Sequence, residues 1–213
     1  MKGVIAVPTS SHFYLPKKFA LDLMELRLVF DKFYPDNTFI FSEYAWIEDA
    51  RNTIWEKAKK HNPDWILWID SDMTFTPKDG LRLVEWIKQG YDFVTGLYFA
   101  GAQPHLPLIY KKVDKEVTYY NNFPRDKTFF EVEACGFGFC IQSKKVLEKL
   151  SNHPFNRMHS NTWNNLGEDL SFCKRAKVAN FNIHCDSTIS PGHIRLATID
   201  KEYLDSGQMF KIA

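Results

Sequence analysis

The first hundred residues alternate short apolar runs with longer amphipathic segments. The apolar runs predict strands at residues 2–8, 39–41, 65–69 and 91–97. Between them, apolar side chains recur at helical spacing and predict helices at residues 17–33, 46–61 and 77–90. Strands that alternate with helices in this way are typical of parallel strands joined by crossover helices. We therefore expect an α/β fold.

After residue 101 the pattern changes to antiparallel strands and turns, in the stretches PLIYKKVDKEVTYYNNF and KTFFEVEACGFGFCI. A short helix is expected at residues 143–150, a polar loop at 156–166 and another helix at 168–179. The tail at 198–213 has no clear periodicity. No repeat, low-complexity segment or linker divides the chain, so we predict one domain.

Composition excludes several classes of protein. The 213 residues carry 27 basic and 26 acidic side chains, without a dense basic block, so nucleic acid is not the expected partner. The apolar stretch near the N terminus is too short for a signal peptide, and no run reaches the roughly 18 apolar residues of a transmembrane segment. We expect a cytoplasmic protein. The four cysteines form no CxxC pair, which favours buried free thiols over zinc or disulfides.

Two carboxylates follow the most apolar strand, in WILWIDSDMTF. In an open parallel sheet, ligands bind beyond the carboxyl ends of the strands, where Asp70 and Asp72 lie. Because two close carboxylates repel each other, a divalent cation or a cationic neighbour is expected between them. Capping of the next helix would explain Asp72 but not the pair. Oxygen ligands favour Mg²⁺ or Mn²⁺, which keep positions open for phosphates.

An arginine and an asparagine begin the second predicted helix, in EDARN. The Arg51 guanidinium could reach a phosphate or Asp70. A surface ion pair with Glu48 is the alternative. Asn52 is a candidate for the same site.

In this order the motifs resemble the GT-A glycosyltransferases, close to the family-two-like enzymes. The resemblance rests on VIAVPTS, on ARNTIWEKAKKHNPDWILWIDSDMTFTP, on ACGFGFCIQSKKVLEKL, on GEDLSFCKRAKVANFNIHCD and on SPGHIR. It implies a Rossmann-like α/β fold with a mixed central sheet flanked by helices. Within one domain, 1–213, residues 1–100 would bind the nucleotide, 101–197 the acceptor, and 198–213 form a tail.

The resemblance implies a metal-dependent transfer of a sugar from a nucleotide-diphosphate sugar, with UDP and GDP both open, to an acceptor hydroxyl, with inversion. Asp72, Asp70 and His193 would hold Mn²⁺ or Mg²⁺, with Asp72 as the direct ligand and Asp70 nearer the ribose. The rest of the donor site would comprise Pro8, Thr9, Ser42, Glu43, Arg51, Asn52 and Ser71.

On the acceptor side, the resemblance assigns Gly136, Phe137 and Gly138 to a strand that approaches the sugar closely; a glycine-containing strand or bulge is the alternative. Trp163 could stack on a sugar or simply pack. Asp169 would be the general base with Glu168 orienting it, although both could also cap a helix. The acceptor could be a carbohydrate, a lipid-linked sugar or a protein.

Two other functions remain open. DSDMT also fits the D-x-D-x-T signature of haloacid-dehalogenase-like phosphatases, in which the first Asp is a nucleophile. Those enzymes open with that strand and carry a later G-D-x-x-x-D element, and neither feature is found here. The second alternative is a catalytically inactive module that binds a sugar nucleotide.

Overall fold

The computed structural model describes residues 1–10, 15–44, 46–113, 116–158 and 166–195. The helices in this part of the chain are α1 (Lys17–Phe33), α2 (Ile47–His61), α3 (Pro77–Lys88), α4 (Lys144–Lys149) and α5 (Glu168–Val178). The strands are β1 (Gly3–Ser10), β2 (Thr38–Tyr44), β3 (Trp65–Ile69), β4 (Met73–Thr74), β5 (Phe93–Gly96), β6 (Ile109–Val113), β7 (Glu116–Tyr119), β8 (Phe129–Val132), β9 (Ala134–Cys135), β10 (Phe139–Ser143), β11 (Ile183–Asp186) and β12 (Gly192–His193).

Seven strands form the central sheet, in the order β2-β1-β3-β10-β5-β11-β8. Strands β1, β2 and β3 pair in parallel, as do β5 and β11, whereas β10 and β8 run antiparallel to their neighbours. The predicted mixed sheet with flanking helices is therefore confirmed. A smaller sheet, in the order β7-β6-β9, accounts for part of the antiparallel pattern expected after residue 101, and β8 and β10 of the central sheet account for the rest.

The apolar run of β3 is explained by cores on both faces of the sheet. Trp65, Leu67 and Ile69 enter the core beneath α1 and α3, while Ile66 and Trp68 enter the core that contains residues of α2, α4 and α5. All five side chains are fully buried. Burial stabilises the fold by about 1.5–3 kcal/mol for each large apolar side chain removed from water. The strand is therefore a rigid support for the turn that follows it.

The turn after β3 is held from several directions. Asp70 N donates a hydrogen bond of 3.0 Å to Gly138 O. Phe75 N donates at 3.1 Å to the buried carboxylate of Asp22, which comes from α1. A capping box between Thr76 and Asp79 then starts α3. These contacts fix the two aspartates at the carboxyl end of the sheet.

Strands β4, β11 and β12 were not predicted. The two-residue strands β4 and β12 are too short to show any periodicity, and β11 follows the last predicted helix without a distinct pattern of its own. The prediction for the cysteines is confirmed, because all four are buried and free. Over the described residues, the helices are all too short or too polar to cross a membrane.

Candidate functional site

Asp72 and His193, which the family resemblance assigns to one metal site, meet at the carboxyl end of β3. His193 Nε2 lies 3.1 Å from Asp72 Oδ2. The contact forms because β12 pairs antiparallel with β4, which places His193 opposite Met73. In addition, Ile194 N donates a hydrogen bond of 2.7 Å to Asp72 O. The late segment is thus tied directly to the turn that carries the aspartates.

The other ring nitrogen of His193 determines what Nε2 can do. Nδ1 lies 2.9 Å from Phe99 O, and a carbonyl only accepts, so Nδ1 carries a proton and donates it. In the neutral ring, Nε2 then carries a lone pair that could bind a cation, whereas the protonated ring donates a hydrogen bond from Nε2 to Asp72 Oδ2. Burial alone would lower the pKa of His193, but the hydrogen bonds to Asp72 and Phe99 raise it above its ordinary value.

Arg195 is a residue of this site that sequence reasoning missed. Its Nη1 donates a hydrogen bond of 2.7 Å to Asp72 Oδ2. Burial favours a higher pKa for Asp72, but the hydrogen bond from His193 and the charge of Arg195 lower it below the ordinary value. The signal was present in SPGHIR, since side chains two apart on an extended segment share a face.

Asp70 has a different partner. Arg51 Nη2 lies 3.0 Å from both of its carboxylate oxygens. Arg51 is only 3% exposed, and its guanidinium also lies 5.2 Å from the Phe137 ring centroid. Burial raises the pKa of Asp70, although Arg51 opposes this shift.

The alternative surface pair between Arg51 and Glu48 is wrong. Arg51 is buried, and Glu48 instead forms an ion pair with Arg157, whose Nε lies 2.7 Å from Glu48 Oε2. Asn52 is also buried and serves the structure: it donates to Asn156 Oδ1 at 2.8 Å and accepts from Phe155 N at 3.1 Å. Its predicted contact with the donor remains a prediction.

The Glu168–Asp169 pair begins α5 beside Arg51. Glu168 Oε1 lies 3.6 Å from Arg51 Nε. Burial raises the pKa of Asp169 to about 6; Glu168 acts in the same direction, while Arg51 opposes it. Asp169 Oδ1 accepts a hydrogen bond of 2.7 Å from Leu170 N, so it contributes to the helix start as well. The N-cap itself is Gly167, without a side-chain capping bond.

The two glycines of CGFGF make room for Tyr98, which sequence reasoning did not single out. Tyr98 Oη accepts a hydrogen bond of 2.7 Å from Gly138 N. A Cβ on Gly136 would lie 2.3 Å from Tyr98 Oη, and one on Gly138 would lie 2.8 Å from the ring. Phe137 is 1% exposed and packs against Trp68, so it offers no open surface for the predicted acceptor contact.

The ends of β1 and β2 lie side by side, where the nucleoside was predicted. Pro8 lies opposite Ser42, and Thr9 lies opposite Glu43. Thr9 Oγ1 donates to Ser42 O at 3.1 Å. The remaining predicted donor residue, Ser71, lies in the turn between the two aspartates. The side chain of Glu43 and all of Trp163 fall outside what the structure describes.

The donor set fits a hard or borderline divalent cation. Asp72 offers a carboxylate oxygen, which suits both Mn²⁺ and Mg²⁺, and His193 offers an imidazole nitrogen, which favours Mn²⁺ over Mg²⁺. Within the described ranges no three His, Cys, Asp or Glu side chains form a group that could hold a metal. Asp70 is held by Arg51, and its place as a third ligand remains a prediction. A cation held by Asp72 and His193 would keep positions open for phosphate oxygens.

Comparison with solved structures first identifies the class of fold. The structure "Crystal Structure of A197 from STIV" matches with a TM-score of 0.63 and 19% identity, covering 92% of this chain and 87% of that one. "Crystal structure of GalNAc-T7 with UDP, GalNAc and Mn2+" matches with a TM-score of 0.55 and 12% identity. Here the match covers 91% of this chain but 44% of that one. The fold is that of the GT-A glycosyltransferases.

The family follows from the sequence itself. The model of glycosyl transferase family 2 matches residues 25–151, more than half of the chain, from within α1 to just past α4. The protein belongs to this family and is a glycosyltransferase by class. No curated protein matches the sequence. The family match leaves the phosphatase alternative without support.

Proposed function

We propose that the protein transfers a sugar from a UDP- or GDP-sugar to an acceptor hydroxyl, with Mn²⁺ or Mg²⁺ and with inversion at the anomeric carbon. The observation that carries this proposal is the arrangement of charges at the end of β3. The Asp72–His193 pair lies on one side, and Asp169, with a pKa of about 6, lies near the pair that the buried Arg51 forms with the half-buried Asp70.

The donor side follows from the two ligands. Asp72 and His193 would hold the cation, and Phe99 O fixes the His193 ring so that Nε2 is available. When bound there, Mn²⁺ or Mg²⁺ would supply positive charge to the departing diphosphate. The ends of β1 and β2 would receive the nucleoside, since ligands of open parallel sheets bind in the crevice beyond the carboxyl ends of the strands. Residues 1–100, together with His193 from the later part of the chain, would thus form the donor side.

Asp169 is the proposed general base. With a pKa of about 6 it is ionised at neutral pH yet basic enough to take a proton. The acceptor oxygen forms a bond to the anomeric carbon, the bond from that carbon to the diphosphate oxygen breaks, and the hydroxyl proton passes to Asp169. The nucleoside diphosphate leaves with the electron pair. Attack from the opposite face inverts the anomeric centre.

Glu168 and Arg51 support the base without touching the reacting atoms. Arg51 carries a buried positive charge among Asp70, Glu168 and Asp169, which favours the ionised carboxylates. The acceptor, whether a carbohydrate, a lipid-linked sugar or a protein, would bind on the side of the site formed by residues 101–197. Trp163 remains the candidate for stacking on an acceptor sugar.

The test measures turnover of UDP- and GDP-sugars with Mn²⁺ for the wild type, Asp72→Ala and Asp169→Asn. We expect Asp169→Asn to lose about 10²–10⁴-fold in transfer while still binding the donor. Asp72→Ala should lose Mn²⁺-dependent nucleotide binding. Asp31→Ala and Asp31→Asn, on the exposed face of α1, are the matched controls and should behave as wild type.

Three outcomes would contradict the proposal. Near-normal transfer by Asp169→Asn would show that Asp169 is not the general base. Normal binding of metal and nucleotide by Asp72→Ala would show that Asp72 does not hold the cation. Absence of product from any donor, with nucleotide binding intact, would favour the inactive binding module.

A further inference from the structure

Arg195 and a divalent cation would need the same oxygen of Asp72. Arg195 Nη1 donates to Asp72 Oδ2 at 2.7 Å, and His193 Nε2 faces that same atom at 3.1 Å. A carboxylate ligand approaches Mg²⁺ at roughly 2.0–2.1 Å. The Arg195 guanidinium and the metal ion both carry positive charge, so at such short distances they repel each other strongly and compete for this oxygen.

The backbone delivers Arg195 to this position. The pairing of β12 with β4 and the hydrogen bond from Ile194 N to Asp72 O align residues 192–195 along the turn. His193 and Arg195 are two residues apart on this extended segment and so point to the same side. The contact between Arg195 and Asp72 therefore follows from the backbone pairing, and does not depend on the conformation of a single side chain.

Gly101 provides a second, independent observation. A Cβ built on Gly101 would lie 1.7 Å from Arg195 Nε and 2.5 Å from its Cδ. The arginine side chain thus runs across the bare Cα of Gly101 to reach Asp72. A side chain at position 101 would displace Arg195, which is flexible enough to move aside.

We propose that Arg195 neutralises Asp72 in the metal-free protein and exchanges with the divalent cation when it binds. The inference rests on the proposed function only in taking Asp72 and His193 as the cation ligands. Arg195 is 48% exposed, so the contact is weak enough to break. The displaced guanidinium stays at the edge of the site and binds phosphate oxygens of the donor, for which its planar fork is suited.

The first experiment titrates Mn²⁺ alone, followed by electron paramagnetic resonance, into the wild type, Arg195→Gln and Gly101→Ala. We expect both variants to bind Mn²⁺ about two- to fivefold more tightly, because the competitor has left Asp72. Gly101→Ala keeps the positive charge and moves it, so it separates the contact from the net charge.

A matched control removes the same charge elsewhere. Arg27 pairs with Asp31 on α1, with side chains 48% and 42% exposed, against 48% and 38% for Arg195 and Asp72. Arg27→Gln should leave the Mn²⁺ affinity unchanged. A similar tightening in Arg27→Gln would show that net charge, and not exchange at Asp72, sets the affinity.

The second experiment adds UDP or GDP at saturating Mn²⁺, measured by calorimetry. Here Arg195→Gln should bind the nucleotide about tenfold more weakly, since a charge-assisted hydrogen bond to phosphate is lost. Exchange predicts that Arg195→Gln binds Mn²⁺ more tightly but the nucleotide more weakly. A merely structural role of Arg195 would weaken the binding of both. Unaltered nucleotide affinity in Arg195→Gln would overturn the phosphate-binding half of the proposal.

Unchanged or weaker Mn²⁺ binding in both Arg195→Gln and Gly101→Ala would overturn the exchange, as would absence of Mn²⁺ binding by all three proteins. A failure of the proposed function is distinguishable. In that case no sugar would be transferred, while the two variants would still bind Mn²⁺ more tightly than the wild type.

Discussion

The two aspartates of the D-x-D turn are one residue apart and have opposite environments. Asp70 belongs to an inner cluster with Arg51, Glu168 and Asp169, where the arginine side chain is 4% exposed. Asp72 belongs to an outer cluster with His193 and Arg195, where the arginine side chain is 48% exposed. A buried cation cannot leave its partners without a large cost, whereas an exposed one can. The inner cluster is thus fixed and the outer one exchangeable.

Arg51→Met should give the largest effect. It leaves the carboxylates of the inner cluster without their buried cation, so we expect the free energy of unfolding to fall by about 3–5 kcal/mol. Urea unfolding at pH 7 measures it. The double variant Arg51→Met with Asp70→Asn should recover part of the loss. A loss no greater than that of Arg27→Gln would show that the inner cluster is no more fixed than a surface pair.

Asp169→Asn should stabilise the protein at neutral pH while greatly slowing transfer. Because burial raises the pKa of Asp169 to about 6, this carboxyl stays protonated to a higher pH in the folded state than in the unfolded state. The contribution of Asp169 to wild-type stability therefore falls as the pH rises from the ordinary carboxyl value of about 4 to about 6.

The Asn variant lacks this loss and should be about 3 kcal/mol more stable above pH 6, with no advantage below pH 4. Unfolding at pH 4 and pH 7.5 checks it. In the wild type, transfer should rise with pH through about 6, as Asp169 becomes ionised. An advantage of equal size at both pH values would exclude a raised pKa as its cause.

Tyr98→Phe should have a smaller effect, of about 1 kcal/mol on stability. It removes the oxygen that accepts from Gly138 N and leaves a buried donor unpaired. Because Gly138 O also holds Asp70 N, we expect kcat to fall as well, while the thermal midpoint drops by about 2–4 °C. Kinetics and thermal unfolding measured together would test this. A fall in midpoint without any change in kcat would mean that Tyr98 serves packing alone.

The smallest effect is expected for Arg195→Gln in the presence of EDTA. Its pair with Asp72 is half exposed, so stability should change by less than about 1 kcal/mol, as for Arg27→Gln. Thermal unfolding of both variants checks this. A loss comparable to that of Arg51→Met would remove the distinction between the two clusters.

The helices and the main parallel strands were predictable because their patterns are local. The periodicity of residues 17–33 predicts α1 with the bounds that the structure shows, and the run at 65–69 predicts β3 equally well. The short pairing of β4 with β12 was not predictable, since two residues carry no period. The role of Gly136 and Gly138 was also hidden, because Tyr98 comes from a distant part of the chain.

By itself the sequence determined that two carboxylates stand at the end of a buried strand, since the apolar run and the acidic residues adjoin in the chain. Only the tertiary structure decided which cation each carboxylate meets. His193 and Arg195 are more than a hundred positions from Asp72, and Arg51 reaches Asp70 from a neighbouring helix. The energy of such contacts depends on burial and distance, which no local pattern records.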